Sequence, residues 1–304
     1  MRPRLILIVV LTVALAAAGY FWQQNRQASH FGEDAYAQTA AILKFGPRPP
    51  GSPALDQVRA HVAAELEAAG WVTRRQSFER MTPVGNVRFE NLIARFPRGN
   101  GDPFEQKVDG LLCAHIDSKL YKDRHFVGAD DAASACAAIV EIAKFLARER
   151  PEQAKRLELV FFDGEESFAE NITPQDGLYG SRYYAGHWRK MEVKPRFGIV
   201  LDMIGHKNLQ IALPSDTPGF LKTSIMAAAK KEKQASRFTM APGPIIDDHV
   251  PLNFAGIPTA DIIGDFTRSR WWHTAADNLD LISAESLDIS IRVTLHVIED
   301  MLAK

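Results

Sequence analysis

The chain has 304 residues, with 36 Lys plus Arg against 37 Asp plus Glu, a formal charge of −1, and 46% hydrophobic and 24% charged residues. That balance is globular and excludes a disordered, collagen-like or multi-span membrane chain. No basic excess exists to neutralise phosphates, so composition gives no case for nucleic acid as a partner.

At the N-terminus Arg2 and Arg4 precede an uncharged apolar run over residues 5–18, and Ala16, Ala17 and Ala18 stand before Gly19. A basic head, an apolar stretch and small residues make the pattern of a secretory signal peptide. Taken as residues 5–22, ending in Tyr20, Phe21 and Trp22, the segment equally suits an uncleaved anchor with an interfacial aromatic belt. Either alternative exports the rest of the chain to the periplasm or medium, and the membrane is expected as a partner only through this segment. Residues 23–33 read as a polar linker.

Beyond the linker, helices are expected over 34–44 and 54–69. The four prolines of 46–53 exclude regular structure between them, because each removes a donor and fixes φ. Strands are expected at 87–96, 108–114, 157–162, 197–204, 209–213 and 257–263. Helices are expected at 132–148, 179–191, 217–233 and 284–302. Mostly apolar runs such as 108–114 and 157–162 suit strands buried on both faces. Their alternation with helices indicates an α/β three-layer sandwich with a mixed, largely parallel central sheet. No linker splits 34–304, which reads as a single catalytic domain. The two cysteines, Cys113 and Cys136, have no CxxC spacing and are no metal signature. A bridge between them and two buried thiols both stay open.

The chemistry-bearing residues follow the buried strands, where open α/β sheets place their sites. His115 and Asp117 end the 108–114 run, two apart and so facing one way in extended backbone. Asp130 and Asp131 precede the 132–148 helix; alone, either is an ordinary N-cap. Glu165 and Glu166 follow the 157–162 strand, and two adjacent carboxylates there call for water or a cation. Asp202 stands inside the apolar stretch 200–204, where an unpaired carboxylate is costly. His273, beside Trp272, lies in a loop before the last helix. With carboxylate and imidazole donors and no thiolate spacing, Zn²⁺ is the expected metal.

Several motifs carry a family resemblance. They are Gly46-Pro47-Arg48 with Pro50-Gly51-Ser52-Pro53, His115-Ile116-Asp117-Ser118-Lys119, and Gly128-Ala129-Asp130-Asp131. Then come Phe161 to Glu166, Asp247-Asp248-His249-Val250-Pro251 and Trp272-His273-Thr274. With them the chain resembles the zinc aminopeptidase-like fold family and, within it, the glutaminyl cyclases. In the aminopeptidases the Glu-Glu pair runs almost directly into a Gly-Leu-x-Gly-Ser turn; here residues 167–179 intervene before Gly180 and Ser181.

The resemblance implies Asp131, Glu166 and His273 as ligands of one Zn²⁺ and Glu165 as general acid/base. It implies Asp202 and Asp247 as hydrogen-bonded partners at the reacting centre and Trp272 as a wall of the substrate pocket. His115 and Asp117 match positions that serve a second metal in the aminopeptidases, so two ions are not excluded. Asn171 stands in a loop that carries an aromatic in the cyclases, which implies a more polar rim. Cys113 is offset by one residue from the pairing position of the animal enzymes, which puts the bridge in doubt. The implied substrates are peptides or proteins with N-terminal Gln, cyclised to pyroglutamate by a monomeric enzyme. Two rivals remain: a zinc aminopeptidase with a dinuclear site, and a non-enzymatic binding domain that keeps the fold.

Overall fold

The computed structural model describes residues 31–267 and 269–304. The expected signal peptide or anchor and most of the linker lie outside them. Among the described residues no helix is long and apolar enough to cross a membrane.

Helix α1 (Phe31–Leu43) begins inside the expected linker, and α2 (Pro53–Ala68) follows the proline-rich stretch. Pro53 sits in the first turn of α2, where its missing N–H costs nothing, and the Ser52 side chain caps it by accepting from Leu55 N. A long hairpin follows, β1 (Val72–Thr82) and β2 (Gly85–Arg95). The chain continues through β3 (Gly110–His115), α3 (Ala135–Glu149), a short α4 (Pro151–Ala154) and β4 (Leu157–Phe162). Next come α5 (Tyr179–Arg189), β5 (Phe197–Asp202), β6 (Ile211–Leu213) and α6 (Gly219–Lys231). The last elements are β7 (Phe238–Met240), α7 (His249–Phe254), β8 (Thr259–Ile263) and α8 (Ala284–Ala303).

Six strands form the central sheet in the order β1-β2-β4-β3-β5-β8, and β6 and β7 pair separately. The β1–β2 and β2–β4 pairs are antiparallel; β4–β3, β3–β5 and β5–β8 are parallel. The sheet is therefore mixed and largely parallel, as expected. Strands β3, β4 and β5 are buried along their whole length. Alternate side chains feed two cores. Leu112, Ala114, Leu159, Phe161, Ile199 and Leu201 meet α2, α3, α6 and α8 on one face. Leu111, Cys113, Val160, Phe162 and Val200 meet α5 and α7 on the other.

That alternation settles the cysteines. Cys113 points into the second core and Cys136, on α3, into the first. Both are buried free thiols, and the Cys136 Sγ donates to the His115 carbonyl at 3.0 Å. Strand β1 was not expected. Its sequence carries Arg74, Arg75, Glu79 and Arg80, and only Phe78 and Thr82 are buried, which is how an edge strand avoids pairing with other chains.

Candidate active site and metal centre

The parallel strands β3, β4, β5 and β8 all end at one edge of the sheet, and the loops leaving them build the site. From β3 come His115, Asp117 and Lys119, from β4 Glu165 and Glu166, from β5 Asp202. Asp131 lies at a kink, with non-helical φ −106° and ψ 83°, inside the turn Ala129–Ser134 that leads into α3. His273 comes from the loop between β8 and α8 and holds a positive φ of 57°. A non-glycine residue in that region is strained, a state that persists where the surroundings over-determine it.

Those surroundings are aromatic. The His273 ring stacks on Trp272, with centroids 3.9 Å apart, and meets Phe126 and Tyr121 edge-on. Its Nε2 points to Glu166 Oε1 at 3.3 Å and Asp131 Oδ2 at 3.5 Å. The other oxygen of Asp131, Oδ1, lies 3.1 Å from His115 Nε2, which is also 3.4 Å from Asp202 Oδ1. Asp131 thus offers one oxygen to each of two imidazoles, and two ligand trios share it: Asp131, Glu166, His273 and His115, Asp131, Asp202.

Asp117 belongs to neither trio, which corrects its expected place in a second metal site. The chain leaves the strand at His115, so the two-residue alternation no longer sets the direction of Asp117. Its carboxylate instead lies 3.5 Å from His115 Nδ1 and accepts from Glu165 N at 3.2 Å and Glu166 N at 3.4 Å. It orients the glutamate loop and the imidazole from behind.

Electrostatics agree with a cation-binding reading. The ring nitrogens of His115, Glu166 Oε1 and Asp202 Oδ1 are buried without a hydrogen-bond partner. Buried polar atoms are normally satisfied, and a cation held by either trio would satisfy those that face it. Burial, together with the Glu166, Asp247 and Asp248 carboxylates, raises Glu165 well above the usual carboxyl range, with His115 opposing. Burial also raises Asp202 strongly, against its contact with His115. Burial disfavours the Asp131 carboxylate, but the close His115 and His273 rings outweigh it and hold the group well below its ordinary value. Burial lowers His273, yet Asp131 and Glu166 push it up to about 9. Two imidazoles and several carboxylates held this close fit Zn²⁺, which takes N and O donors in a compact, low-coordinate shell.

A cavity of about 390 Å³ opens onto these groups. Asp131, Glu165, Glu166, Asp202, Asp247 and His273 form part of its lining, with Trp272 and Phe266 on one wall and Ile245 and Ile246 at the rim. Asn171 reaches the same cavity beside Glu170 and Ile172. The sequence-expected residues Asp131, Glu165, Glu166, Asp202, Asp247, Trp272 and His273 therefore converge on one space. Asp247 also adjoins a buried cluster with Asp261 and His249, whose ring faces Asp261 at 3.4 Å and Asp216 at 3.7 Å.

Other positioning groups escaped the sequence reading. Asp277, fully buried, accepts from the backbone N–H of Asp130 and of Asp131. Arg48, also fully buried, donates to Ile116 O at 2.9 Å, Gly128 O at 3.0 Å and Val127 O. The Gly46-Pro47-Arg48 motif thereby ties the loop after β3 to the turn that carries Asp131. A Cβ at Gly128 would lie 1.9 Å from Asp131 O, so glycine permits that close turn. The motifs themselves mark Arg48; nothing in the sequence distinguishes Asp277 from an ordinary capping residue.

Known proteins share this arrangement. The profile of Peptidase family M28 matches residues 91–298. The glutaminyl-peptide cyclotransferase of Gloydius blomhoffii is 30% identical over 282 residues, covering 79% of this chain and 74% of that one. The structure of a glutaminyl cyclase from an Acidobacteriales bacterium superposes with a TM-score of 0.76 at 28% identity, covering 89% of this chain and 94% of that one. A Zn-dependent exopeptidase from Parabacteroides distasonis gives 0.76 at 27% identity, covering 88% and 97%. The chain belongs to peptidase family M28 and, within it, to the glutaminyl-peptide cyclotransferases.

Proposed function

We propose that the chain is a zinc-dependent glutaminyl-peptide cyclotransferase that converts the N-terminal Gln of peptides or proteins to pyroglutamate with release of ammonia. One observation carries the reading: Asp131, Glu166 and His273 converge beside the separate carboxyl of Glu165 in one aromatic-walled cavity. Asp131, Glu166 and His273 are the residues that would hold zinc. Zinc bound there supplies Lewis-acid polarisation of the γ-carboxamide oxygen.

The remaining work falls to the chain's own groups. The cavity holds the N-terminal residue folded, so that its α-amine lies against its own γ-carbon. The α-nitrogen to carbonyl-carbon bond forms, the carbon to amide-nitrogen bond breaks, and ammonia leaves. Glu165 takes the proton from the attacking amine and returns it to the departing nitrogen. Burial among like charges raises the carboxyl, which suits it to take up a proton and hold it for return. In this reading Asp202 and Asp247, which line the same cavity as Glu165, serve as its hydrogen-bonded partners, and the Trp272 indole walls the substrate.

Residues 34–304 serve as one catalytic domain in this reading. It is exported to the periplasm or medium by residues 1–22, whether these are cleaved or kept as an anchor, and acts as a monomer. Mass spectrometry of a Gln-initiated peptide incubated with the zinc-loaded enzyme tests it. Loss of one ammonia from an otherwise intact peptide, above the spontaneous rate, is expected. The second trio, His115, Asp131 and Asp202, is the observation that favours an aminopeptidase instead. Free Gln, a shortened peptide and two metals per chain would establish that alternative.

A further inference from the structure

We propose that Lys119 is a positioning residue for Glu166: its ammonium holds one carboxylate oxygen and leaves the other aimed at the metal. The inference rests on the reading of Asp131, Glu166 and His273 as the zinc ligands. Lys119 is buried, only 3% exposed, among groups that the cyclisation chemistry does not require it to touch.

Its three hydrogens are all used. Nζ donates to Ser167 O and Ser167 Oγ, each at 2.9 Å, and to Glu166 Oε2 at 3.3 Å. Oε1 of the same carboxylate has no hydrogen-bond partner and faces His273 Nε2 at 3.3 Å. The two oxygens of Glu166 are thus divided, one to the lysine and one to the ion. The division follows from the sheet. Strands β3 and β4 are parallel neighbours, so the loops leaving them run side by side. The β3 loop grips the β4 loop twice: Asp117 takes the backbone N–H groups of Glu165 and Glu166, and Lys119 takes the Glu166 side chain. A buried ammonium is costly unless paired, and this pairing places its charge against a ligand carboxylate. Groups that orient metal ligands from behind change metal affinity without touching the ion.

A purely structural role is the competing account, because Lys119 also pins Ser167. The two accounts separate by zinc affinity, measured by competition with a chromophoric chelator. Lys119→Met should bind zinc roughly 10–100-fold more weakly than the parent. Lys119→Gln, one atom shorter but with two N–H donors and no charge, should also bind more weakly, and it carries the test should the Met variant fail to fold. Ser167→Ala removes a different acceptor of the same ammonium and should keep the parent affinity. With Co²⁺ in place of zinc, the visible absorption bands should shift in the Lys119 variants and not in Ser167→Ala. Parent-like zinc affinity in folded Lys119 variants would overturn this inference alone, as would a loss in Ser167→Ala equal to theirs. A parent that binds no zinc would overturn the zinc-site reading with it.

Discussion

The Asp277 carboxylate accepts the backbone N–H of Asp130 at 2.7 Å and that of Asp131 at 3.2 Å, one on each oxygen. A residue in the loop before α8 therefore fixes the turn that presents the shared metal-facing carboxylate. Asp130, whose Oδ1 accepts from Gly205 N and Ser134 Oγ, anchors the same turn to the loop after β5. Asp277→Ala should leave two buried N–H groups unpaired and let Asp131 drift. Zinc affinity is expected to fall about 10–100-fold, read by chelator competition, while Asp277→Asn, which keeps one acceptor, should lose less.

Glu165 and Glu166 are neighbours with different tasks, and their amides should fail differently. Glu165→Gln keeps the volume and the proposed metal trio, so zinc content should stay at the parent's level while kcat falls by about 100-fold or more. Glu166→Gln removes a ligand, so metal content and activity should fall together. Atomic absorption and steady-state kinetics on the same samples distinguish the two.

The acid limb of the pH profile should carry two ionisations, that of Glu165 and that of the substrate amine. The Glu165 carboxyl must be ionised to accept a proton, and the substrate amine, with a pKa near ~8, must be neutral to attack, so kcat/KM should rise from acid toward that pH. Asp247 is one of the carboxylates that raise Glu165. A like charge disfavours ionisation, so Asp247→Asn should lower the Glu165 pKa and move the Glu165 part of the acid limb to lower pH, leaving the amine part in place, alongside a loss in maximal rate. An unmoved limb would separate Asp247 from Glu165.

Gly180 is a packing constraint at the start of α5. A Cβ there would lie 2.3 Å from Asn91 Oδ1 and 2.6 and 2.7 Å from the Asp163 backbone. None of these is the end of a flexible chain, and Asp163 opens the loop that holds Glu165 and Glu166. Gly180→Ala should cost about 1–3 kcal/mol of stability through forced displacement, read by denaturant unfolding, and should lower kcat at temperatures where the protein stays folded.

The sheet was legible because β3, β4 and β5 are mostly apolar, with Glu158 the one charge between their ends, a composition that suits strands covered on both faces. Strand β1 was not, because Arg74, Arg75, Glu79 and Arg80 face solvent and leave no apolar alternation to read. The convergence of Asp131, Glu165, Glu166, Asp202 and His273 was legible through their places at strand ends and through family motifs. The direction of Asp117 was not, since alternation holds only while the backbone stays extended. Asp277 and Lys119 act by hydrogen bonds that exist only once separate loops meet, and no local pattern announces such contacts.

The two thiols, set on opposite sides of the sheet, have a consequence for how the protein is made. Cys113 and Cys136 are separated by the backbone of β3, so no oxidant joins them while the fold is intact. A chain with its thiols so placed needs no oxidative folding machinery. The catalytic region made in a reducing cytoplasm and that recovered from an oxidising compartment should melt at the same temperature, with and without reductant, and both should show two titratable thiols after unfolding.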